Sequence, residues 1–143
     1  MNLSDLLSKG LIEKFQSDKD QIQNEIKNAQ KKLESSEKML EINEWGWAHF
    51  AAYNAMLHAG RALMFSKEHR PRSSDHHVAV VSFSTIYEQK YTTEVITAFN
   101  QGRKRRSEFQ YDDADAISET QAKNMIEKAI KFIDATKNIM KIP

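Results

Sequence analysis

Apolar residues recur every three or four positions along most of this chain, which is the period of an α-helix rather than of a β-strand. From about Asp18 to Glu41 such a stripe lies among Lys, Glu and Gln residues, and it predicts a long amphipathic helix with a solvated outer face. The apolar positions of this stripe are Ile22, Ile26, Ala29, Leu33 and Leu40. A second stripe follows the capping-box sequence Ser118-Glu-Thr-Gln121 and predicts the last helix of the chain.

The segment from Trp45 to Ser66 carries one formal charge, Arg61, in a chain in which 29% of the residues are charged. It is too polar to cross a membrane, and it predicts a helix from about Asn43 to Lys67 that is buried on most sides. Alanines at intervals of three and four predict a seam at which a neighbouring helix approaches closely. They are Ala48, Ala52, Ala55, Ala59 and Ala62.

The other predicted elements complete a single helical domain. Residues 1–16 are expected to form a short N-terminal helical element, with Ser4 or Asp5 as its cap, and residues 17–143 the bundle. Ser74 is the expected cap of a third helix, whose β-branched residues would also suit a strand but fall on helical faces. A fourth helix is expected from about Thr92 to Glu108, before an acidic loop at residues 112–115. The fold class is therefore all-α, an up-and-down bundle of about five helices.

Composition supports this fold and excludes several kinds of site. The 143 residues include four glycines, two prolines and no cysteine, with a net charge of +1. The low glycine and proline content disfavours all-β folds, and no glycine-rich phosphate loop is present. Without cysteine there is no disulfide or thiolate site, and we expect no metal and no cofactor. The absence of a signal sequence or spanning segment predicts a cytoplasmic protein with no membrane partner.

The candidate chemistry begins directly after the buried helix. Arg70 and Arg72 flank a proline, and His76 and His77 open the next helix, so this segment could bind a phosphate group. Arg72 and His77 also stand in an R-x4-H relation. A histidine could transfer the proton of a ribose 2′-hydroxyl while a guanidinium stabilises the phosphorane charge, and this would need no metal ion.

Two further sets of polar residues have a structural and a functional interpretation. The polar positions of the buried helix, Tyr53, Asn54, His58 and Arg61, could bind a ligand inside the bundle. Alternatively, His58 forms an ordinary bond to a neighbouring helix, and Arg61 pairs with a carboxylate. The basic run that ends in Arg106, with Tyr111 beyond it, could grip RNA or simply suit a helix C-terminus. His49 and His69 are expected at the surface.

The central helix and the segment after it resemble the HEPN family of small all-α domains. Members commonly show a YxAMxHAxRALL-like helix, a short basic loop and a histidine that opens the next helix. The matching residues here are Tyr53, Ala55, Met56, His58, Ala59, Arg61, Ala62 and Leu63, followed by Arg70, Arg72 and His76 or His77. The resemblance extends from about Gln21 to Met140.

The resemblance implies a helical bundle that is often a homodimer and is often encoded beside a small nucleotidyltransferase, as in toxin–antitoxin pairs. Many members are metal-independent endoribonucleases that bring an R-x4-6-H motif together across the dimer, and others bind nucleotides or partner proteins. In ribonuclease members the motif usually lies near the helix before the last one. The matching region here, Arg103 to Tyr111, has no histidine.

Three functions therefore remain open. The first is a module that binds a nucleotide, single-stranded RNA or a partner protein. The second is an endoribonuclease toxin that uses Arg72 and His77, and the third is an assembly protein. We expect little or no intrinsic ribonuclease activity.

Overall fold

The chain folds as an all-α bundle with one short antiparallel pair of strands. The computed structural model describes residues 1–72, 75–111 and 116–141, and of residues 107–111 it describes the backbone. Within these ranges the elements are α1 (Leu3–Ser8), β1 (Ile12–Lys14), α2 (Lys19–Glu41), α3 (Trp45–Ser66), β2 (His69–Pro71), α4 (His76–Thr85), α5 (Glu88–Tyr91), α6 (Thr93–Tyr111) and α7 (Glu119–Met140). No helix in the described part of the chain is long and apolar enough to cross a membrane.

Helix α3 is the centre of the bundle and packs against α2, α7, α4 and α6. The five alanines of the predicted seam are fully buried. They allow close approach of α2, and the hydroxyl of Ser36 on α2 donates a hydrogen bond of 2.5 Å to the carbonyl oxygen of Ala48 on α3. This bond satisfies a buried polar group at the contact between two of the longest helices.

Local capping sequences fix where several helices begin. Capping boxes open α1 at Asn2, α2 at Asp18 and α7 at Ser118, each with the reciprocal side-chain and backbone bonds of that motif. The predicted start of the last helix is thus confirmed, as is the helical state of the β-branched segment that forms α4. The expected cap of α4 was wrong, because Asp75 rather than Ser74 accepts the hydrogen bond from the Val78 backbone N–H.

The N-terminal element differs from the expectation, which was a short helical element over residues 1–16. Only Leu3–Ser8 are helical, and Gly10 then adopts a positive φ of 71° that turns the chain. Residues 12–14 form β1, which pairs antiparallel with β2, Ile12 opposite Pro71 and Lys14 opposite His69. Such short strands lack a periodic signal of their own, and each is stabilised by a partner that is distant in sequence.

Two histidines expected at the surface are buried. His49 on α3 is 7% exposed and His69 on β2 is 8% exposed. The ring of His69 packs against the ring of Phe83 on α4, with 5.8 Å between their centroids. The sequence prediction failed because a histidine on a predominantly apolar helix, or on a short strand, has no pattern that separates buried from exposed positions. The predicted acidic loop at residues 112–115 lies outside the described residues.

Candidate functional site

A tyrosine and a histidine meet where α3, α4 and α6 come together. The Tyr53 hydroxyl on α3 lies 2.6 Å from Nδ1 of His77 on α4. Their rings are nearly parallel, at an interplanar angle of 11° and a centroid distance of 5.6 Å. Tyr53 is 1% exposed and also packs against Phe99 of α6. The Asp75 cap fixes the first turn of α4 and so the position of His77.

Both members of this pair are neutral near pH 7. Burial raises the pKa of Tyr53 well above its ordinary value, although nearby arginines act in the opposite direction. Burial also lowers the pKa of His77 to about 4, and the positive charge of Arg106 acts in the same direction. Because the charged form of each group is disfavoured, the bond between them joins a phenol and an uncharged imidazole.

The direction of this hydrogen bond follows from the surroundings of Tyr53. Its hydroxyl is buried, and within the described residues its one hydrogen-bond partner is Nδ1 of His77. If the phenol O–H did not donate to Nδ1, its proton would be buried without an acceptor. We therefore assign the phenol as donor, which places the imidazole proton on Nε2. In this tautomer His77 offers a hydrogen-bond donor, rather than a free basic nitrogen, to a ligand.

Three arginines give this site a positive potential. Arg106, Arg103 and Arg61 each act on the pKa of Tyr53. Arg103 is held by a bond of 3.1 Å from its Nε to Oδ1 of Asn100. By contrast, Nε of Arg106 is buried and has no hydrogen-bond partner in the described structure. A buried guanidinium N–H without an acceptor is costly, so it marks a position where an external acceptor would be stabilising.

The close approach of α6 to Tyr53 depends on Gly102. A Cβ atom at this position would lie 2.8 Å from Cδ1 of Tyr53 and 2.5 Å from Cε of Met125. The absence of a side chain therefore lets α6 pass directly over the tyrosine ring. This contact brings arginines of α6 to the Tyr53–His77 pair. They lie within the helix, which continues to Tyr111 and has no basic residue in its last turn, so the expectation that the basic run ends a helix is wrong.

His58 and Arg61, two further polar residues of α3, face α2. Nδ1 of His58 lies 2.7 Å from Oε2 of Glu25, and Nη1 of Arg61 lies 3.8 Å from the same oxygen. The structural interpretation of these two residues therefore holds, with a carboxylate on α2 as the partner. Glu25 was missed in the sequence, although its position beside the buried stripe of α2 places it next to Ile26. Because Arg61 also acts on Tyr53 and His77, it links the two groups electrostatically.

The arginines of the predicted phosphate-binding segment are paired with a carboxylate of β1. Nε of Arg70 lies 2.7 Å from Oε1 of Glu13, and Nε of Arg72 lies 4.0 Å from Oε2. The Arg70 guanidinium also lies over the ring of Phe15, 4.7 Å from its centroid. Arg72 is not among the charged groups that act on His77. The structure thus brings His77 together with Arg106 rather than with Arg72.

The remaining predicted residues lie around this centre. Asn54 is partly buried on α3, and His76 is exposed at the first position of α4, where it acts weakly on His77. The side chain of Tyr111 lies outside the described structure. In the described ranges, no three His, Asp or Glu side chains are grouped as ligands for a metal ion.

Comparison with known proteins assigns the family. The model of the HEPN domain matches residues 22–139, which include all the residues of the site. The chain belongs to the HEPN family. This HEPN domain is 24% identical over 115 residues to a Methanocaldococcus jannaschii protein named "Putative toxin MJ0142", with 80% of this chain and 78% of the relative covered.

A solved structure has the same fold. The protein TT1696 from Thermus thermophilus superposes with a TM-score of 0.66, at 14% sequence identity, over 82% of this chain and 96% of the other. At this identity the similarity concerns the fold alone, and the chemistry of this HEPN domain has to be argued from its own residues. The family resemblance seen in the sequence is confirmed.

Proposed function

We propose that this HEPN protein is the toxin-like member of a toxin–antitoxin pair and that it binds phosphate groups of a nucleotide or of single-stranded RNA. The binding site in this proposal is formed by Tyr53, His77 and Arg106. The single observation that carries it is the buried Nε of Arg106, which has no acceptor in the described structure. A phosphate oxygen would supply that acceptor and would also meet the positive potential of Arg61 and Arg103.

The protonation state of His77 supports binding rather than proton transfer. With its Nδ1 accepting from Tyr53, the neutral ring presents Nε2–H, which can donate to a phosphate oxygen. A histidine whose pKa is about 4 remains a neutral donor throughout the physiological range. The site thus combines neutral and cationic donors around one position. Among the described groups that act on His77, the Asp75 carboxylate is the one anion.

The toxin-like assignment rests on the family and on the archaeal relative whose name includes the word toxin. A nucleotidyltransferase is the partner that the family resemblance implies. A homodimer is supported by exposed apolar side chains at the turn between α2 and α3, where Ile42 is 65% and Trp47 is 53% exposed. Light scattering at tens of micromolar protein tests the dimer, and copurification with the product of a neighbouring reading frame tests the partner.

Titration with ATP, GTP and a short single-stranded RNA tests the binding site. We expect a salt-sensitive affinity that falls by about tenfold or more in Arg106→Gln, because one charge-assisted hydrogen bond is lost. Arg72→Gln is the matched control: it removes the same charge from the segment that Glu13 neutralises. A larger loss in Arg72→Gln than in Arg106→Gln would favour the Arg70–His77 segment as the binding site. No binding of any of the three ligands would refute the proposal.

A metal-independent endoribonuclease is the second candidate, and the pairing of a neutral His77 with Arg106 favours it over a pure assembly role. Cleavage would require the other imidazole tautomer, with the proton on Nδ1 and the lone pair on Nε2, so that the ring could accept a 2′-hydroxyl proton. We expect no cleavage of single-stranded RNA in the presence of a chelator. Cleavage that His77→Gln abolishes, with an unchanged circular dichroism spectrum, would make the ribonuclease the better assignment.

A further inference from the structure

The residues that precede the matched HEPN domain fold back over the segment that follows α3. Residues 3–15, which we call the N-terminal strap, comprise α1, β1 and the turn between them. Leu6 and Ile12 anchor the strap, since both side chains are almost fully buried. The backbone of β1 pairs with β2, and a bond of 2.9 Å from the Arg72 N–H to the Leu11 carbonyl oxygen extends the pairing. Apolar side chains and backbone bonds therefore hold the strap in place.

Glu13 of the N-terminal strap is shared by two arginines of the segment after α3. In the antiparallel register it stands directly opposite Arg70, whose Nε donates a hydrogen bond of 2.7 Å to Oε1 of Glu13. Nε of Arg72 lies 4.0 Å from the other carboxylate oxygen, Oε2. Two positive charges thus meet one negative charge, and the group keeps an excess of positive charge.

Both arginines remain accessible while they contact Glu13. The side chain of Arg70 is 49% exposed and that of Arg72 is 63% exposed. Their contacts to Glu13 are made by Nε, and each guanidinium carries further N–H donors on its Nη atoms. Arg70 is also fixed in orientation, because its guanidinium lies over the Phe15 ring, 4.7 Å from the centroid. A side chain that is already ordered loses less conformational freedom when it binds an anion.

The contact between Glu13 and the two arginines is easily exchanged. Ion pairs between exposed side chains contribute little to stability, because water screens the charges and two long side chains have to be ordered. Phosphate oxygens suit the planar guanidinium group as carboxylate oxygens do. A phosphate group can therefore take the place of Glu13 while the buried side chains and the β-pair keep the N-terminal strap folded.

We propose that Arg70 and Arg72 bind a phosphate of a single-stranded oligonucleotide, and that Glu13 occupies this position in the free protein as an internal competitor. The ligand class rests on the proposed function, whereas the residues are separate from the Arg106 site. Arg72 and His77 are five residues apart, so their Cα atoms lie within about 18 Å of each other. An oligonucleotide with one phosphate at the Arg106 site can place another at the two arginines, whereas AMP has a single phosphate.

Glu13→Gln removes the competing carboxylate and keeps a side chain of similar size. The full chain is titrated at low and moderate salt with AMP and with a labelled single-stranded RNA octanucleotide whose 2′-O-methyl groups prevent cleavage. We expect Glu13→Gln to bind the octanucleotide about three- to tenfold more tightly at low salt. The log–log salt dependence should become steeper by about 0.7, as for one more phosphate neutralised. The affinity for AMP should not change.

Two control variants separate a local effect from a change in overall charge. Glu34→Gln removes one negative charge at an exposed position of α2 and should leave both affinities unchanged. The double variant Glu13→Gln/Arg72→Gln should lose the gain. Arg72→Gln alone is measured in case the circular dichroism spectrum shows that Glu13→Gln is misfolded. It should weaken octanucleotide binding by about twofold, which is less than the loss in Arg106→Gln, and it should leave AMP binding unchanged.

Three results would overturn the proposal. They are octanucleotide binding by Glu13→Gln that is no tighter than by Glu34→Gln, an equal gain for AMP, and a gain that persists in the double variant. In each case the proposed function still stands if Arg106→Gln weakens both ligands. If the wild type binds neither ligand, the proposed function fails and this proposal fails with it.

Discussion

His49 should make the stability of this protein sensitive to mild acid. In the folded chain its pKa is about 4, whereas the ordinary value is 6.5. As the pH falls below 6.5, the unfolded chain therefore takes up a proton that the folded chain does not, and the free energy of unfolding decreases. Stability from this residue is fully present above pH 6.5 and is lost as the pH falls towards 4.

The size of the effect follows from the two pKa values. Between pH 7.5 and pH 5, protonation of His49 in the unfolded state lowers the free energy of unfolding by about 2 kcal/mol. Other groups titrate in the same range, so the useful quantity is the difference between the wild type and His49→Gln. The free energy of unfolding of the variant should fall by about 2 kcal/mol less over this interval.

Urea unfolding at pH 7.5, 6.5, 5.5 and 5.0, followed by circular dichroism, measures this difference. His77→Gln is the comparison variant, since burial and Arg106 also lower the pKa of His77 and its effect has the same sign. Because His77 is more exposed than His49, its contribution should be smaller. The same pH dependence in the wild type and in His49→Gln would refute the reasoning and would mean that His49 is accessible to solvent in the folded protein.

Three single substitutions test other contacts by denaturant unfolding at pH 7.5. Gly102→Ala should destabilise by about 1–2 kcal/mol and weaken ATP or RNA binding, because its Cβ would displace the Tyr53 ring; a more stable variant would contradict this contact. Ser36→Ala should cost about 1 kcal/mol through loss of the bond to Ala48, and Ser35→Ala, at an exposed neighbour, is the control. Asp75→Ala should cost about 1 kcal/mol as a lost helix cap, and Asp75→Asn, which can still cap, should retain most of the stability.

The sequence predicted the long helices well because their information is local. The stripes of α2 and α7, the alanine seam of α3 and the capping box at Ser118 are each contained within one element. The β1–β2 pair was missed because two three-residue strands carry no period, and each is stabilised by a partner that is distant in sequence. His49 and His69 were misplaced for a related reason: burial of a single polar residue is decided by neighbours from other elements.

The candidate site was predicted in part. Tyr53, His77 and Arg106 were all singled out, but they were assigned to three separate groups. The R-x4-H spacing favoured Arg72 as the partner of His77, and in the fold Arg72 lies beside Glu13 on the edge of the β-pair. Sequence spacing could not show this, because the direction of the chain after α3 is set by the pairing of β2 with β1.

The arrangement of the α6 arginines around His49 and Tyr53 follows from one helix crossing. His49 and Tyr53 are four residues apart and so lie on the same face of α3, beneath the α6 turn that contains Gly102, Arg105 and Arg106. Consecutive residues of a helix point about 100° apart, so Arg105 acts on His49 while Arg106 acts on Tyr53 and His77. Adjacent members of this basic run, which lies within α6, therefore act on different side chains of the bundle. Gly102 permits this close crossing, because a Cβ atom at that position would lie 2.8 Å from Cδ1 of Tyr53 and 2.5 Å from Cε of Met125.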